Sequence, residues 1–214
     1  MERYWGLQDS SITFCEKDYI QSPYIAEYYN TISGLAYSLV GLWFYNSTLS
    51  KETVYSLIVL GLSTSLFHGT MRYYGQMSDE VSMLILSFYL IKEVHEELPV
   101  QALGSLISIY FMANDMFPIF FLMFMSLQCY LYLLTDVIVK ETSKWRGDSV
   151  AKLVRKKNYM ALFGGTCWVI DMTFCDYIEI TYLHALWHIF TAFALYYGCK
   201  VLVAYKIDKI LKSE

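Results

Sequence analysis

The sequence predicts an all-α membrane protein, a bundle of seven transmembrane helices with a lumenal or extracellular N-terminus and a cytosolic C-terminus. Of the 214 residues, 56% are hydrophobic and 17% are charged, whereas soluble domains carry about 25% charged residues. The aromatic share of 18% is typical of chains whose Tyr and Trp rings lie at membrane interfaces. The length predicts a single domain, 1–214. This composition excludes an ordinary soluble domain, and we expect no nucleic-acid partner.

Seven apolar stretches approach the ~20 residues that a helix needs to cross a bilayer. The fifth and seventh are long, whereas the third and fourth are short, so six helices and one re-entrant segment is the alternative. Residues 1–25 lack the apolar core of a cleavable signal peptide, and we expect them to remain as an outer N-terminal segment. The predicted spans are 26–46, 54–71, 79–94, 99–114, 117–139, 159–177 and 181–205.

The distribution of basic residues orients these spans. With the N-terminus outside, thirteen of the 16 basic residues lie on the cytosolic side, and only Arg3, Lys17 and Arg72 lie on the outer side. This asymmetry is what the positive-inside rule predicts. The longest polar loop, 140–158, is basic and cytosolic. We interpret it as a determinant of topology, with binding to anionic lipid head groups as the alternative.

Four ionisable residues lie at similar depth near the outer face. His68 ends the second span, Asp79 opens the third, and His184 and His188 lie in the first two turns of the seventh. Ionisable residues inside a membrane are costly and usually mark functional sites. The topology was predicted from hydropathy and basic residues alone, so it did not presuppose this cluster. We therefore expect a functional site at the outer end of the bundle.

The three histidines of this cluster suggest a metal site. His184 and His188 are four positions apart and share one helix face, and His68 can supply a third nitrogen. Three protein ligands with an open fourth position are typical of catalytic zinc, which activates water for attack on a carbonyl group. Taken singly, each histidine could instead be a packed, hydrogen-bonded core residue. Their convergence favours the metal site.

The catalytic acid and base must come from outside the histidines, because no Glu stands in the HExxH position of zinc proteases. Asp79 is the candidate that would accept a proton from water and pass it to a leaving group. Thr64 precedes His68 by four residues, so its hydroxyl could donate a hydrogen bond to an oxyanion. Ser63 and Ser65 remain alternatives for this donor.

Two further ionisable residues lie in or near the spans. Asp171 lies in the sixth span toward its outer end. It could support a metal ligand by hydrogen bonding, or it could join two helices, and the sequence does not distinguish these roles. His95 lies at the cytosolic side in a polar stretch, and we expect it to be solvated.

The outer N-terminal segment carries a second polar cluster. Thr13, Glu16, Asp18 and Glu27 offer oxygen ligands over a short stretch, a pattern that suits Ca²⁺. The alternative is a solvated acidic loop. Of the five cysteines, only Cys15 and Cys175 fall in predicted outer segments, where an oxidising compartment would permit a disulfide.

Together these residues resemble an alkaline ceramidase, a polytopic zinc amidase of the endoplasmic reticulum and Golgi. The resemblance rests on short blocks in the same order: YWG, FCE, YIAEYYNT, LFHGT, the DE that follows, FC and LHALWHIFT. The last block is the most specific, because it is similar to the family pattern FHxxWHxxT. The middle of the chain, 95–165, contributes only its hydropathy.

The resemblance implies hydrolysis of the N-acyl amide of ceramide to a sphingoid base and a free fatty acid, with the active site facing the lumen. It implies that Asp79 is the acid/base carboxylate and that Thr64 replaces a Ser of the family. It also implies a lumenal disulfide between Cys15 and Cys175. The family's zinc ligands match three histidines: His68, His184 and His188.

A calcium site is implied less completely. Glu16 and Glu27 match the family's ligands, and Phe14 would contribute only its backbone carbonyl. Thr13 stands where Asp is usual, and Asp18 stands where Asn is common. One carboxylate is lost and one is gained, so we expect a calcium site that is altered from the family's pattern.

A receptor of the progestin and adiponectin type is the alternative function. These seven-helix receptors share the zinc–histidine core but have the opposite orientation, with the N-terminus in the cytosol. The asymmetry of the basic residues and the outer cysteines favour the amidase. A transporter or channel has little support, because no series of acidic residues crosses the predicted membrane.

Overall fold

The protein is a bundle of α-helices. The computed structural model describes residues 3–113, 116–142, 144–175, 177 and 182–213. Within these ranges the chain forms seven helices and no strand, which confirms the all-α class predicted from the sequence. The helices are α1 (Tyr28–Trp43), α2 (Lys51–Thr70), α3 (Tyr73–Lys92), α4 (Val100–Met112), α5 (Phe117–Glu141), α6 (Lys144–Phe174) and α7 (Leu183–Ser213).

The helices follow the seven predicted stretches in order, but they differ in length and apolarity. By length and composition, two of the described helices, α5 and α7, could cross a membrane, and α4 is a shorter apolar helix of 13 residues. α2 and α3 each have 20 residues, or about 30 Å of helix. The predicted span ends at 114 and 181 lie outside the described residues.

The prediction of a polar loop at 140–158 is wrong, because α6 begins at Lys144 and most of these residues form its first half. Val150 and Val154 lie four residues apart, and both are buried in the core that also contains Cys199 and Leu202 of α7. Residues four apart share one helix face, so two well-placed valines are enough to dock a segment that is otherwise basic. The high charge of this segment concealed its helical period.

The first two helices cross closely because glycines stand at their contact. A Cβ atom on Gly34 of α1 would lie 2.9 Å from Cγ2 of Thr64, and one on Gly61 of α2 would lie 3.0 Å from the Gly34 carbonyl oxygen. Any larger residue would force the backbones apart. The Ser38 hydroxyl also donates to the Ile58 carbonyl at 2.8 Å. This close approach brings Thr64 and the end of α2 against α1.

A buried carboxylate joins three helices at the opposite end of the bundle from the histidines. Glu93, just after α3, accepts hydrogen bonds from the Ser50 backbone N–H at 2.8 Å and from the Ser50 hydroxyl at 2.6 Å. It also pairs with Lys206 Nζ of α7 at 2.6 Å. Ser50 is the N-cap of α2. A buried charge with this many partners fixes α2, α3 and α7 relative to one another.

A large cavity of about 830 Å³ lies between α3, α5, α6 and α7. Its walls are mostly apolar side chains, and Leu and Phe are the most frequent among them. The outer surface is also apolar in many places, with Leu39, Leu133 and Leu162 at least 60% exposed. Extended apolar surface of this kind marks contact with a membrane or a partner.

Candidate metal centre and its cavity

Three histidines converge at one end of the cavity. His68 lies in the last turn of α2, and His184 and His188 lie one turn apart at the start of α7. One ligand nitrogen from each lies within 4.8 Å of the other two, and the ring centroids are 4.7 to 4.9 Å apart. All three side chains are buried. The structure thus brings together the three histidines that the sequence singled out.

The histidine rings are oriented by polar partners on their Nδ1 atoms. His68 Nδ1 lies 2.6 Å from Glu27 Oε2, and His188 Nδ1 lies 2.8 Å from the Ser33 hydroxyl. Ser33 donates its own proton to the Asn30 carbonyl at 3.1 Å, so it accepts from His188. In both rings Nδ1 therefore carries the proton, which leaves Nε2 with a free lone pair for a metal ion.

His184 faces a carboxylate in the same way but at a longer distance. Its Nδ1 lies 3.8 Å from Asp171 Oδ2. Among the described residues neither His184 Nδ1 nor Asp171 Oδ1 has a hydrogen-bond partner, although both atoms are buried, and buried polar atoms are rarely left unpaired. Asp171 also accepts a hydrogen bond from the Cys15 backbone N–H at 3.4 Å. Of its two predicted roles, support of a histidine fits this position better.

The donor set fits a transition-metal ion. Three neutral imidazoles with oriented Nδ1 atoms suit zinc, copper, iron or nickel. A carboxylate or serine behind each imidazole is the usual second layer of such a site.

Asp79 and Thr64 line the same cavity as the histidines. The Thr64 hydroxyl donates to Asp79 Oδ1 at 2.5 Å. This bond leaves Asp79 Oδ2 as the oxygen free to exchange a proton. It also commits the Thr64 proton to Asp79, so in this arrangement Thr64 positions the carboxylate instead of donating to an oxyanion.

The two neighbouring serines face other helices. Ser63 shares a hydrogen bond of 2.7 Å with Ser82 of α3, and Ser65 donates to the Thr31 carbonyl of α1 at 2.8 Å. Neither serine lines the cavity. Of the three hydroxyls considered for this site, Thr64 is the one that reaches Asp79.

Tyr37 is a cavity residue that the sequence analysis missed. Its ring centroid lies 5.9 Å from that of His188. Its hydroxyl donates to Thr191 Oγ1 at 2.6 Å, because Thr191 gives its own proton to the Trp187 carbonyl. The available signal was the spacing of Ser33 and Tyr37, which places a hydroxyl and a phenol on one face of α1.

The N-terminal segment covers the histidines. Cys15 and Cys175 form a disulfide, as the family resemblance predicted. The adjacent Phe14 ring lies on the site, with its centroid 4.0 Å from that of His184 and 4.8 Å from that of His68. The disulfide therefore fastens an aromatic cover over two of the three imidazoles.

The predicted calcium ligands have other partners. Both oxygens of Glu16 accept backbone N–H groups at the start of α1, from Tyr29 at 2.8 Å and Asn30 at 2.9 Å, and Glu27 contacts His68 as described above. Among the described residues, no group of three close ligand atoms contains Glu16, Asp18 and Glu27 together. Thr13 is exposed.

The charges of this segment still favour a cation nearby. Burial raises the pKa of the Glu16 carboxyl against its backbone hydrogen bonds, and the Asp18 charge raises it further. Burial also raises the pKa of Asp18, whereas Arg3 lowers it. Carboxylates that repel one another would gain from a cation, so calcium at this segment stays a prediction.

Similarity to known proteins extends over nearly the whole chain. The family model described as Ceramidase matches residues 6–213. An alkaline ceramidase of Arabidopsis thaliana is 29% identical over 90% of this chain and 82% of its own length. An alkaline ceramidase of Drosophila melanogaster is 29% identical over 92% and 77%, and alkaline ceramidase 1 of Mus musculus is 26% identical over 92% and 81%. The similarity thus extends far beyond the histidine motif.

Proposed function

This chain belongs to the ceramidase family, and from this premise we propose that it hydrolyses the N-acyl amide bond of ceramide with a zinc ion held by His68, His184 and His188. The products are a sphingoid base and a free fatty acid. The observation that carries the proposal is the position of the three histidines and Asp79 at one end of a long apolar cavity. A lipid amide needs both a hydrolytic centre and room for its chains.

The histidines would hold the metal through their Nε2 atoms, because Glu27 and Ser33 occupy Nδ1 in two of the three rings. When bound, zinc supplies Lewis-acid chemistry that polarises a carbonyl group and makes water acidic. The hydrogen bonds to Nδ1 raise the basicity of the imidazoles and fix the direction of the rings. Phe14 lies over His184 and His68 and limits access of bulk water from the outer side.

Asp79 would carry a proton from the attacking water to the amide nitrogen. Its Oδ2 accepts the proton of the attacking water, while Thr64 holds Oδ1 in place. The same oxygen then gives this proton to the amide nitrogen, so that the C–N bond breaks and the sphingoid amine leaves. General acid–base catalysis of this kind contributes about 10²- to 10⁴-fold to a rate.

The cavity would bind the alkyl chains. It measures about 830 Å³, within the range of about 300–1,000 Å³ that is usual for ligand sites. Its largely apolar walls suit hydrocarbon, because each methylene taken from water stabilises the complex by about 0.8 kcal/mol. The amide would then lie between the histidines and Asp79, with the hydrocarbon extending toward the other end of the bundle.

We also propose that all seven helices cross the membrane of the endoplasmic reticulum or Golgi, with the metal centre at the lumenal side. The thirteen basic residues assigned to the cytosolic side support this orientation. The Cys15–Cys175 disulfide fits a lumenal location, because the cytosol is reducing. Protease protection of a C-terminal tag in sealed microsomes tests it. A protected tag would contradict the orientation and favour the receptor-like topology.

The proposal for calcium concerns the same lumenal segment, with Glu16, Asp18 and Glu27 as carboxylate ligands beside Thr13 and Phe14. It rests on the family resemblance and on the mutual repulsion of the carboxylates. Calcium would act there on structure, because the segment covers the metal centre without carrying the acid or the base.

Hydrolysis by purified protein tests the reaction itself. The protein is assayed for fatty acid released from ceramide before metal removal, after chelation and after addition of zinc. We expect chelation to abolish release and zinc to restore it. Failure of the zinc-loaded protein to cleave any ceramide in a panel would contradict the proposal, and full activity without metal would contradict the role of zinc.

A further inference from the structure

The cavity continues well below the metal centre, and a lysine lies about one helical turn before its far end. On α7 the lining runs from His184 and His188 down to Val201 and Leu202. At 1.5 Å per residue, Gly198 lies about 15 Å below His188. Lys157 of α6 lines the cavity at this level, and it is the sole Lys or Arg among the lining residues that the structure describes.

The Lys157 side chain lies between α7 and α5. A Cβ atom on Gly198 of α7 would lie 3.8 Å from Lys157 Cδ, so the stem of the lysine rests on the part of α7 that has no side chain. Its Nζ lies 5.6 Å from the centroid of the Tyr132 ring on α5. The stem therefore runs across the gap between the two helices.

The ammonium group lies at the α5 side of the cavity. Tyr132, its cation–π partner, lines the cavity and is also exposed, and the exposed Asp136 of α5 attracts its charge. A lysine arranged in this way directs its charge toward a carboxylate and leaves its methylene stem along the apolar lining. The stem is thus the part of Lys157 that a bound chain would meet.

We propose that the Lys157 stem crosses the chain-binding cavity about one turn before the last lining residues of α7, and that it is the floor that sets the length of the alkyl chain that the enzyme accepts. A chain that extends from the amide toward α5 and α7 ends against this stem. A longer chain would have to displace the stem and its charge, which costs free energy, whereas a shorter one leaves apolar space unfilled. This inference rests on the proposed function, since that function supplies the chain.

The test replaces Lys157 by Ala, which removes the stem beyond Cβ and deepens the cavity. Hydrolysis is measured on ceramides that differ only in acyl length, and separately on ceramides that differ only in the length of the sphingoid base. We expect the ratio of kcat/KM for long over short chains to rise about tenfold or more in one of the two series. The responding series identifies the chain that reaches the floor.

Two matched variants separate the stem from the charge and from general damage. Lys157→Met keeps an unbranched stem without the charge, and we expect it to retain the wild-type chain-length profile. Lys156→Ala removes the adjacent exposed lysine, whose Nζ lies 5.6 Å from the Tyr197 ring. This variant should also retain the profile. A loss of stability alone would lower all rates without changing their ratio.

A binding measurement keeps the inference testable even without turnover. Saturated fatty acids of increasing length displace a fluorescent fatty acid from the purified protein, and Lys157→Ala should move the tightest binding to longer acids. If the wild type hydrolyses no ceramide but this shift appears, the proposed function fails and the floor stands. An unchanged profile in Lys157→Ala, or an equal shift in Lys157→Met or Lys156→Ala, overturns the inference.

Discussion

α1 and α2, which bring Ser33 and His68 to the metal centre, are built differently from α4 and α5, which pack against α3. α1 and α2 contribute seven and eleven buried residues from 16 and 20, and many of these are Ser, Thr, Gly, Asn or His. α4 and α5 bury only two of 13 and four of 25, and α5 lines the cavity whereas α4 contributes none of its lining residues. Chemistry requires side chains fixed by close neighbours, whereas a wall for hydrocarbon needs only apolar surface.

Loss of a metal ligand should have the largest effect on activity. We expect His188→Ala to lose bound metal and to reduce hydrolysis to background, because two imidazoles cannot hold a catalytic ion in place. His95→Ala serves as the matched control, since His95 is exposed and contacts Tyr130 of α5. Metal content by atomic emission and fatty-acid release are measured on both. Stoichiometric metal in His188→Ala would show that the ligand assignment is wrong.

Removal of the proton carrier should separate chemistry from metal binding. Asp79→Asn keeps the shape of the side chain and can still accept the Thr64 proton, but it cannot take a proton from water. We expect a full metal content and a fall in kcat of about 10²- to 10⁴-fold. The control is Glu52→Gln, which changes an exposed carboxyl at the start of α2. A near-normal kcat would remove Asp79 from the mechanism.

Glu27 and Glu16 have different partners, so support of a histidine and binding of calcium can be tested separately. Glu27 contacts His68, whereas Glu16 contacts only the backbone at the start of α1. We expect Glu27→Gln to weaken zinc affinity about 10- to 100-fold and Glu16→Gln to leave it unchanged, as measured by competition with a chelating dye. If Glu27 acts only through calcium, both variants should depend on calcium alike and neither should alter zinc affinity.

The smallest expected effects are those of alanine substitution at two glycines, one in a close helix contact and one in open space. Gly34→Ala places a methyl group 2.9 Å from Thr64, so we expect a loss of about 1–3 kcal/mol in the free energy of unfolding. A methyl group on Gly104 of α4 meets nothing within 4 Å. Gly104→Ala should therefore be neutral or stabilise the protein by up to about 1 kcal/mol. Thermal unfolding in detergent measures both, and equal effects would contradict the contrast between the closely packed α1 and α2 and the loosely packed α4.

Much of the site was predictable because it depends on short spacings. The i and i+4 histidines, the order of the apolar stretches and the motif blocks indicated both the helices and the family, and the family match is confirmed. Contacts between distant segments were not predictable, such as Glu27 with His68 or Lys157 with Gly198. These depend on helix rotation and on the path of the N-terminal segment, which hydropathy does not specify.

The prediction of a loop at the start of α6 failed for a different reason. Polar and charged side chains outnumber apolar ones over residues 144–158, and hydropathy averages over the whole circumference of a helix. Val150 and Val154 are enough to dock one face, because the free energy of packing comes from that face alone. The average therefore indicated a loop where the chain is helical.

The disulfide also orders events during biogenesis. Cys15 and Cys175 are separated by 160 positions, so Phe14 and Asp171 are fastened at the metal centre only after most of the chain has been translated. Until then, His68 can meet neither His184 nor His188. A nascent or reduced chain would therefore lack the covalent link that fastens Phe14 over the imidazoles. We expect assembly of the covered centre to require oxidation of these two cysteines as well as folding of the helices.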